Sequence, residues 1–465
     1  MQRASMASSL GIVSCWLIAL GGAASAGGSQ DDLAVSQHWR WFGRAVIGMG
    51  DLDGDCAGDF LVSVPREQAV DGAAQGRCVR AFSGATGALL YARSGPGGFG
   101  DSLATLGDVD GDGYPDFAAG WGGGGTGPGM SVCSGVDGRV LYSRTDESWW
   151  GAVRVSAVAD VTGDGVDDLV CGWPNDSFCE VAGSAQSRVE VLNGATGELV
   201  TAIEGEVLPL DDESAIVTRI GRRVWGLGDL DGDGRGEIAF STSESQLDRA
   251  AGSFGVAEGS AAIRVVRGVD GKPLFTIAPK RSCRDRGLSL AATVDWDGDG
   301  HPDLAVGSGV TGYDLSQIHS AGMFRASWTS PPGEVAIHSG LDGRPLHRLE
   351  ASEPTPRFGH ALAGGADFDG DGVADLLVSD YGWFAWYGSC TVFSGSDGSV
   401  LLHNENPGTT DYGESVTVLE DVNCDGVPDY AVGALEDDPM WRQPGTVSVH
   451  SGKTGEELYR LPHED

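Results

Sequence analysis

The chain repeats one pattern of apolar and polar positions seven times. Each repeat contains a short apolar run directly after an acidic, glycine-rich loop, and such runs are typical of strands covered on both faces. Before each loop, a segment such as residues 101–106 alternates polar and apolar positions, which predicts a second strand. The seven apolar runs begin at Phe60, Phe117, Leu169, Ile238, Leu304, Leu376 and Tyr430.

Two further signals flank these strands in every repeat. A Gly-x-Thr/Asp-Gly turn such as residues 83–87 follows each run and predicts a hairpin, because glycine supplies the positive φ that the turn needs. Each unit therefore contains four antiparallel strands, which we label A to D from the first to the last. The pair before strand A is aromatic-Gly in most units: Phe42-Gly43, Phe99-Gly100, Trp150-Gly151, Ile220-Gly221, Arg286-Gly287, Phe358-Gly359 and Tyr412-Gly413.

A single four-stranded sheet of this size cannot bury both of its faces, whereas seven sheets packed radially can. The sequence therefore predicts an all-β fold, a seven-bladed β-propeller of four-stranded antiparallel blades with calcium-binding A–B loops. No stretch of helical period competes with this interpretation. We expect blades at about residues 42–98, 99–149, 150–219, 220–285, 286–357, 358–411 and 412–465.

The acidic loops have the spacing of a calcium site. Side-chain oxygens at loop positions 1, 3, 5 and 9, with a backbone carbonyl at position 7, can surround a hard cation, and Mg²⁺ suits such flexible loops less well. Up to seven structural Ca²⁺ ions are expected. The predicted ligands are Asp51, Asp53, Asp55 and Asp59 in loop 1; Asp108, Asp110, Asp112, the Tyr114 carbonyl and Asp116 in loop 2; Asp160, Thr162, Asp164 and Asp168 in loop 3; Asp229, Asp231, Asp233 and Glu237 in loop 4; Asp295, Asp297, Asp299 and Asp303 in loop 5; Asp367, Asp369, Asp371 and Asp375 in loop 6; and Asp421, Asn423, Asp425 and Asp429 in loop 7.

The seven loops differ in how completely they match the ligand pattern of a calcium site. Loops 2, 5 and 6 are complete and are expected to bind most tightly. Loop 3 loses a charge at Thr162, and loop 1 has Cys56 where a sharp turn favours glycine, so these two are expected to bind most weakly. An alternative is that some loops, chiefly 1, 3 and 7, are held by Asx hydrogen bonds without metal.

Together, the aromatic-Gly pair, the Asp-x-Asp-Gly-Asp-Gly-x-x-Asp loop and the apolar run resemble FG-GAP repeats. Such repeats build the seven-bladed propeller of integrin α subunits and occur in many secreted bacterial proteins. The resemblance covers about residue 38 to the end of the chain. It implies a non-enzymatic binding or adhesion module for an extracellular protein or glycan. Because the sequence shows neither a transmembrane helix nor the leg-like sandwich domains of integrins, we expect a free-standing propeller.

The net charge and the N-terminal residues of the chain limit the partners and the cellular location that we expect. A net charge of −37 repels phosphate backbones and anionic lipid, so nucleic-acid and membrane-surface partners are not expected. Arg3, the apolar residues 10–20 and Ala24-Ser-Ala26 have the form of a signal peptide over residues 1–26, followed by an N-terminal segment at 27–41. The mature protein should be secreted or periplasmic, without membrane insertion, and monomeric.

Eight cysteines follow the predicted cleavage site, an even number that is compatible with disulfides. Cys171 and Cys179 flank one loop and form the favoured pair. Cys56 and Cys424 lie in the first and seventh acidic loops, which are neighbours in a closed ring. They form either a bridge that closes the ring or two unrelated thiols.

In a propeller, the A–B and C–D connections share one face, so the variable B–C and D–A connections lie on the other. We expect a ligand there, with Trp383, Trp386 and Trp441 as binding candidates, whereas Trp121, Trp150 and Trp173 sit where blades pack. No catalytic motif accompanies them, so the chain is not expected to be an enzyme. The alternative is a carbohydrate-active propeller, a lectin or polysaccharide lyase, that uses the insertion at 308–333.

Overall fold

The structure is a computed structural model. It describes residues 41–65, 77–122, 127–147, 149, 151–174, 187–209, 214–248, 253–256, 261–278, 288–293, 295–309, 333–351, 355, 357–381, 388–406, 411–435 and 445–462.

These residues form a seven-bladed β-propeller, which confirms the predicted fold class. Each blade contains four consecutive strands paired antiparallel in the order A, B, C, D. The strands of the first three blades are β1 Val46–Gly50, β2 Asp59–Val64, β3 Cys78–Phe82 and β4 Leu89–Ser94; β5 Ser102–Thr105, β6 Phe117–Trp121, β7 Gly129–Cys133 and β8 Val140–Thr145; and β9 Arg154–Val158, β10 Asp168–Trp173, β11 Arg188–Leu192 and β12 Leu199–Glu204.

Blades 4 to 7 follow the same order along the chain. In blade 4 the strands A to D are β14, β15, β17 and β18, and two short strands, β13 and β16, are additional. The strands are β13 Val207–Pro209, β14 Ser214–Gly226, β15 Glu237–Asp248, β16 Ser253–Val256, β17 Ala262–Arg267 and β18 Pro273–Ile277; β19 Leu288–Ala292, β20 Leu304–Ser308, β21 Val335–His338 and β22 Pro345–Leu349; β23 Phe358–Ala366, β24 Asp375–Asp380, β25 Ser389–Phe393 and β26 Val400–Glu405; and β27 Tyr412–Leu419, β28 Asp429–Ala434, β29 Thr446–His450 and β30 Glu457–Leu461.

Blade 4 departs from the expected four strands. Strands β14 and β15 continue beyond the blade as a long hairpin, and β13 and β16 pair with its outer edges to give a six-stranded sheet. Buried Ala215 and Val217 alternate with more exposed Ile216 and Thr218 before the Ile220-Gly221 pair, and the equally long strand β15 pairs with this segment. The strand pattern therefore begins earlier here than the pair indicates.

The ring closes without exchange of a strand between the first and last blades. The A strands of neighbouring blades contact each other around a central axis, and β27 contacts β1. At this junction the Tyr459 hydroxyl donates to the Gly84 carbonyl at 2.6 Å, as Tyr91 donates to Gly135 at 2.6 Å between blades 1 and 2. Blade 7 therefore packs on blade 1 by the same contacts that join other neighbours.

The core lies between adjacent blades. Phe42, Phe60 and Phe82 of blade 1 pack with Val447 and Val449 of blade 7 in one such cluster. The glycine of the aromatic-Gly pair makes close approach possible: Gly43 has φ of 83°, and a Cβ there would lie 2.9 Å from the Thr446 carbonyl.

The tryptophans that the repeat assigned to packing lie in these clusters where the structure describes them. Trp121 and Trp173 are 2% and 1% exposed, which confirms their packing role. Trp150 lies outside the described residues.

Candidate metal loops and central cavity

The carboxylate at loop position 9 is the buried centre of each acidic loop. In loop 6, Asp375 Oδ2 accepts the Phe368 N–H at 2.7 Å and Oδ1 accepts the Gly395 N–H of the C–D turn at 2.8 Å. One side chain thus ties the A–B loop to the C–D turn, which confirms that both connections share a face. The same pair of bonds forms at Asp59, Asp116, Asp168, Asp303 and Asp429.

The carboxylate at position 1 folds the loop around itself. Asp367 Oδ1 accepts the N–H groups of Gly370 and Asp371, and Oδ2 accepts that of Gly372. Asp371 Oδ1 in turn accepts the Val373 N–H at 2.8 Å. Asx hydrogen bonds therefore shape the loop from its own side chains, and they direct several carboxylates toward one point.

Five loops bring three carboxylates close together. In each of them, one oxygen from every carboxylate lies within 4.8 Å of the others. Loops 3 and 7, with Thr162 and Asn423 at position 3, hold no such cluster in the part of the chain that the structure describes. The clustered residues are Asp51, Asp53 and Asp59; Asp108, Asp110 and Asp116; Asp229, Asp231 and Glu237; Asp295, Asp297 and Asp299; and Asp367, Asp369 and Asp371.

The electrostatics of the clusters favour a cation. Burial, and then the charges of Asp231, Asp229 and Asp233, raise the pKa of Glu237 to about 7. In loop 7, which has no such cluster, burial and the neighbouring Asp425 and Asp421 still raise the pKa of Asp429 to about 6, although backbone N–H groups oppose the shift. All donors are hard oxygens at the spacing of a calcium loop, so the residues fit Ca²⁺. In loop 2 the Tyr114 N–H donates to Asp112 Oδ1 at 3.0 Å, and its carbonyl is the group assigned to the ion.

The C–D turn adds cations that sequence reasoning missed. Arg139 Nη2 donates to Asp110 Oδ2 at 2.5 Å in loop 2, and Arg344 Nη2 donates to Asp297 Oδ2 at 2.5 Å in loop 5. Both arginines directly follow the last glycine of the turn, whereas Ser399 has that position in blade 6. A guanidinium at position 3 competes with an ion, so we expect loop 6 to bind more tightly than loops 2 and 5.

Protein groups also reach the two loops without a cluster. In loop 3 the Asn193 amide donates to Asp164 Oδ2 at 2.6 Å and to the Thr162 hydroxyl at 3.1 Å. In loop 7 the Lys453 ammonium donates to the Asp425 carbonyl at 2.9 Å. These bonds stabilise the turn without metal, in line with the Asx-turn alternative for loops 3 and 7.

The cysteine expectations are corrected in part. Cys171 is a buried free thiol, so the favoured Cys171–Cys179 bridge is absent, and Cys179 itself lies outside the described residues. Cys56 and Cys424 are exposed free thiols, each at positive φ, which supports two unrelated thiols. Cys56 lies at loop position 6 and Cys424 at loop position 4, and in each case the other loops have glycine at that position.

On the opposite face, the predicted ligand candidates Trp383, Trp386 and Trp441 lie outside the described residues, as does most of the 308–333 insertion. The described residues instead surround a central cavity of about 850 Å³ where the A strands begin. Its polar lining comes mainly from residues at or just after the aromatic-Gly glycines, a repeat position that sequence reasoning did not examine. The ionisable side chains of Arg, His, Asp and Glu there are Arg44, Asp101, Arg154, Arg222, Arg223, His360, Asp411 and Glu414.

One wall of the cavity is a packed polar cluster. Arg44 forms an ion pair with Glu414, and His360 Nε2 lies 3.2 Å from the second oxygen of Glu414. The His360 ring stacks on Tyr381 at 4.7 Å, and the Arg357 guanidinium lies 4.6 Å from the same tyrosine ring. Burial and the charges of Arg223, Arg357 and Arg44 hold the pKa of His360 well below its usual range, so this histidine is neutral.

No protein-family model matches the chain. The chain is 26% identical to integrin alpha pat-2 of Caenorhabditis briggsae over 58% of this chain and 20% of that protein. It is 31% identical to integrin alpha-5 of Xenopus laevis over 45% of this chain and 20% of that protein, and 33% identical to human integrin alpha-IIb over 32% and 14%. The chain thus spans about a fifth or less of the length of these relatives.

With the seven-bladed fold, these similarities confirm the resemblance to the propeller of integrin α subunits. Within the described ranges, no helix has the length and hydropathy that crossing a membrane requires.

Proposed function

We propose that this chain is a secreted, calcium-stabilised propeller that acts as a non-enzymatic binding or adhesion module for an extracellular protein or glycan. The observation that carries this proposal is that the two faces of the propeller differ in structure. One face is made of regular loops fixed by buried carboxylates, and the other holds an 850 Å³ cavity lined by charged groups. The similarity to integrin α subunits supports the same conclusion.

The metal loops belong to the scaffold in this proposal. Ca²⁺ would supply positive charge to carboxylates that otherwise repel each other, chiefly in loops 1, 2, 4, 5 and 6. The chain's own residues do the rest, because the buried position 9 carboxylate joins the A–B loop to the C–D turn. Ile47 lines the cavity and loop 1 begins four residues later at Asp51, so a rise of about 3.3 Å per residue places this loop roughly 13 Å from the cavity.

The cavity side carries the candidate contacts. Trp383 and Trp386 follow Tyr381 by two and five positions, and Trp441 follows Leu435 by six, and both Tyr381 and Leu435 line the cavity. We keep these tryptophans as ligand-binding candidates. His360, the described histidine of the cavity, is buried against Tyr381 and Glu414, an arrangement suited to holding a wall in place.

Two measurements test the proposal with the secreted chain. Thermal unfolding in Ca²⁺ and in EDTA should differ, with the higher midpoint in Ca²⁺. The Ca²⁺-loaded protein should bind members of a glycan array or an array of extracellular proteins, and it should not turn over polyuronide into unsaturated products. An unchanged midpoint in EDTA would refute the calcium role, and turnover of polyuronide would replace the binding module with a lyase.

A further inference from the structure

The central cavity concentrates positive charge in a strongly acidic protein. Its lining has four arginines, Arg44, Arg154, Arg222 and Arg223, against three carboxylates, whereas the chain as a whole has a net charge of −37. Arg357 lies beside the cavity, on the ring of Tyr381. The lining therefore has a small local excess of positive charge, which favours an anion here more than elsewhere on this acidic protein.

The carboxylates of the lining are held by neighbours. Glu414 faces both Arg44 and His360, and Asp411 Oδ1 accepts the Tyr381 hydroxyl at 2.9 Å. Arg154 Nη1 donates to the Asp101 backbone carbonyl at 2.9 Å, which positions its guanidinium. The wall around the arginines is thus organised by fixed hydrogen bonds.

The backbone directs the arginines and the histidine inward at irregular points of the strands. In blade 4 the pairing of β14 with β15 shifts between Ile220 and Val224, and Arg222 and Arg223 lie in that bulge. In blade 6 an equivalent shift between Phe358 and Leu362 contains His360. Bulges re-aim side chains and are frequent next to functional sites.

Two residues with a strained backbone also lie at the cavity. Four non-glycine residues of the described chain have positive φ, and two of them, Trp41 at 70° and Asp411 at 63°, line the cavity. For a residue as bulky as tryptophan this is an outlier, and strained residues cluster at ligand sites. Trp41 and Trp225 also place indole groups in the lining, and flat rings suit the apolar faces of sugars.

We propose that the cavity binds an acidic saccharide, with Arg222 and Arg223 as the main contacts for its carboxylate or sulfate groups and Trp41 and Trp225 as contacts for its rings. The planar guanidinium matches both oxyanions by paired hydrogen bonds. A volume of about 850 Å³ lies in the range of about 300–1,000 Å³ usual for ligand pockets. This inference rests on the proposed function as a binding module and names its ligand class.

Calorimetric titration of the Ca²⁺-loaded full chain tests the proposal. The probes are a short oligogalacturonate for carboxylate, a heparin oligosaccharide for sulfate, a neutral cello-oligosaccharide and a polyglutamate peptide. The variants are R223A and the double variant R222A/R223A. A third variant, R223K, keeps the positive charge but lacks the planar guanidinium that forms paired hydrogen bonds. The matched control is R460A, which removes an arginine from the outer strand β30, where it pairs with Glu457.

We expect at least one acidic oligosaccharide to bind, more weakly at higher salt, and the neutral one not to bind. Because a charged hydrogen bond contributes about 1.5–3 kcal/mol, R223A should weaken binding by about tenfold to a hundredfold, R223K by less, and R460A not at all. An unchanged calcium-dependent unfolding midpoint shows that each variant is folded.

Three results would overturn the inference: binding unaffected by R222A/R223A, binding of polyglutamate in place of saccharide, or no binding of any acidic probe. In the last case, calcium-dependent binding to another member of the arrays leaves the binding-module proposal intact, so the two failures are distinguishable.

Discussion

Two substitutions in loop 6 separate the structural role of the position 9 carboxylate from the binding of calcium. Asp375 is 1% exposed and accepts the buried N–H groups of Phe368 and Gly395. A buried donor left without a partner costs about 1–3 kcal/mol, so D375A should lower the free energy of unfolding by about 2–6 kcal/mol, even in EDTA.

Asp369 gives the contrasting case. It is exposed, and its one described hydrogen bond accepts the Asp371 N–H at 3.1 Å, which an asparagine oxygen can also accept. D369N should therefore leave stability in EDTA unchanged or slightly higher, because a repelling charge is lost. In Ca²⁺ it should lose the contribution of this loop, about 2.7 kcal/mol when Ca²⁺ exceeds its dissociation constant a hundredfold.

Urea unfolding of the wild type and both variants, followed by tryptophan fluorescence in EDTA and in Ca²⁺, measures these differences. Calorimetry in parallel shows whether the propeller unfolds in one transition, which the comparison of free energies requires. The reasoning is refuted if D375A costs no more than D369N in EDTA, or if D369N already destabilises the metal-free protein.

Three further predictions follow from contacts between residues that are distant in the sequence. R139S should tighten calcium binding at loop 2 by up to about fivefold, since a partly exposed ion pair with Asp110 contributes about 0.2–1 kcal/mol; equal affinity by calcium titration would contradict the competition. Arg188 lies 4.6 Å and 4.8 Å from the rings of Trp149 and Trp173 and 3.0 Å from the 3% exposed Glu190. Because Arg144 still pairs with Glu190 at 3.1 Å in R188M, this substitution should lower the free energy of unfolding by about 1.5–3 kcal/mol. The double variant R188M/E190Q, measured by denaturant unfolding, should recover part of that loss. If it recovers none, the buried charge of Glu190 is not what destabilises R188M. Burial raises the pKa of Asp380 to about 6, although Thr355 and Arg357 oppose the shift, so the folded state holds its proton more tightly than the unfolded chain. The free energy of unfolding of the wild type, relative to that of D380N, should therefore fall by about 2–3 kcal/mol as the pH rises from about 4 to about 6. A difference between the two proteins that stays constant over this range would show that Asp380 does not cause this pH dependence.

The sequence determined most of the architecture, because the information is local. Strand B is continuously apolar, the A–B loop has fixed oxygen spacing, and the C–D turn has glycines where positive φ is required. These signals lie within a few residues of each other in every unit, so periodicity alone predicts four strands and seven blades. The Asx bonds of the loops, such as those of Asp367, are equally local.

The tertiary structure decided which residues far apart in the sequence meet. Arg139 reaches Asp110 from 29 positions away, and Arg44 pairs with Glu414 across 370 positions, so no window along the chain shows either contact. The extra strands of blade 4 needed the partner strand β15 to extend as far as β14. The sequence therefore determined the blades and the possible metal ligands, whereas ring closure brought the A strands around one axis and placed Arg44, Arg154, Arg222 and Arg223 in the lining of one cavity.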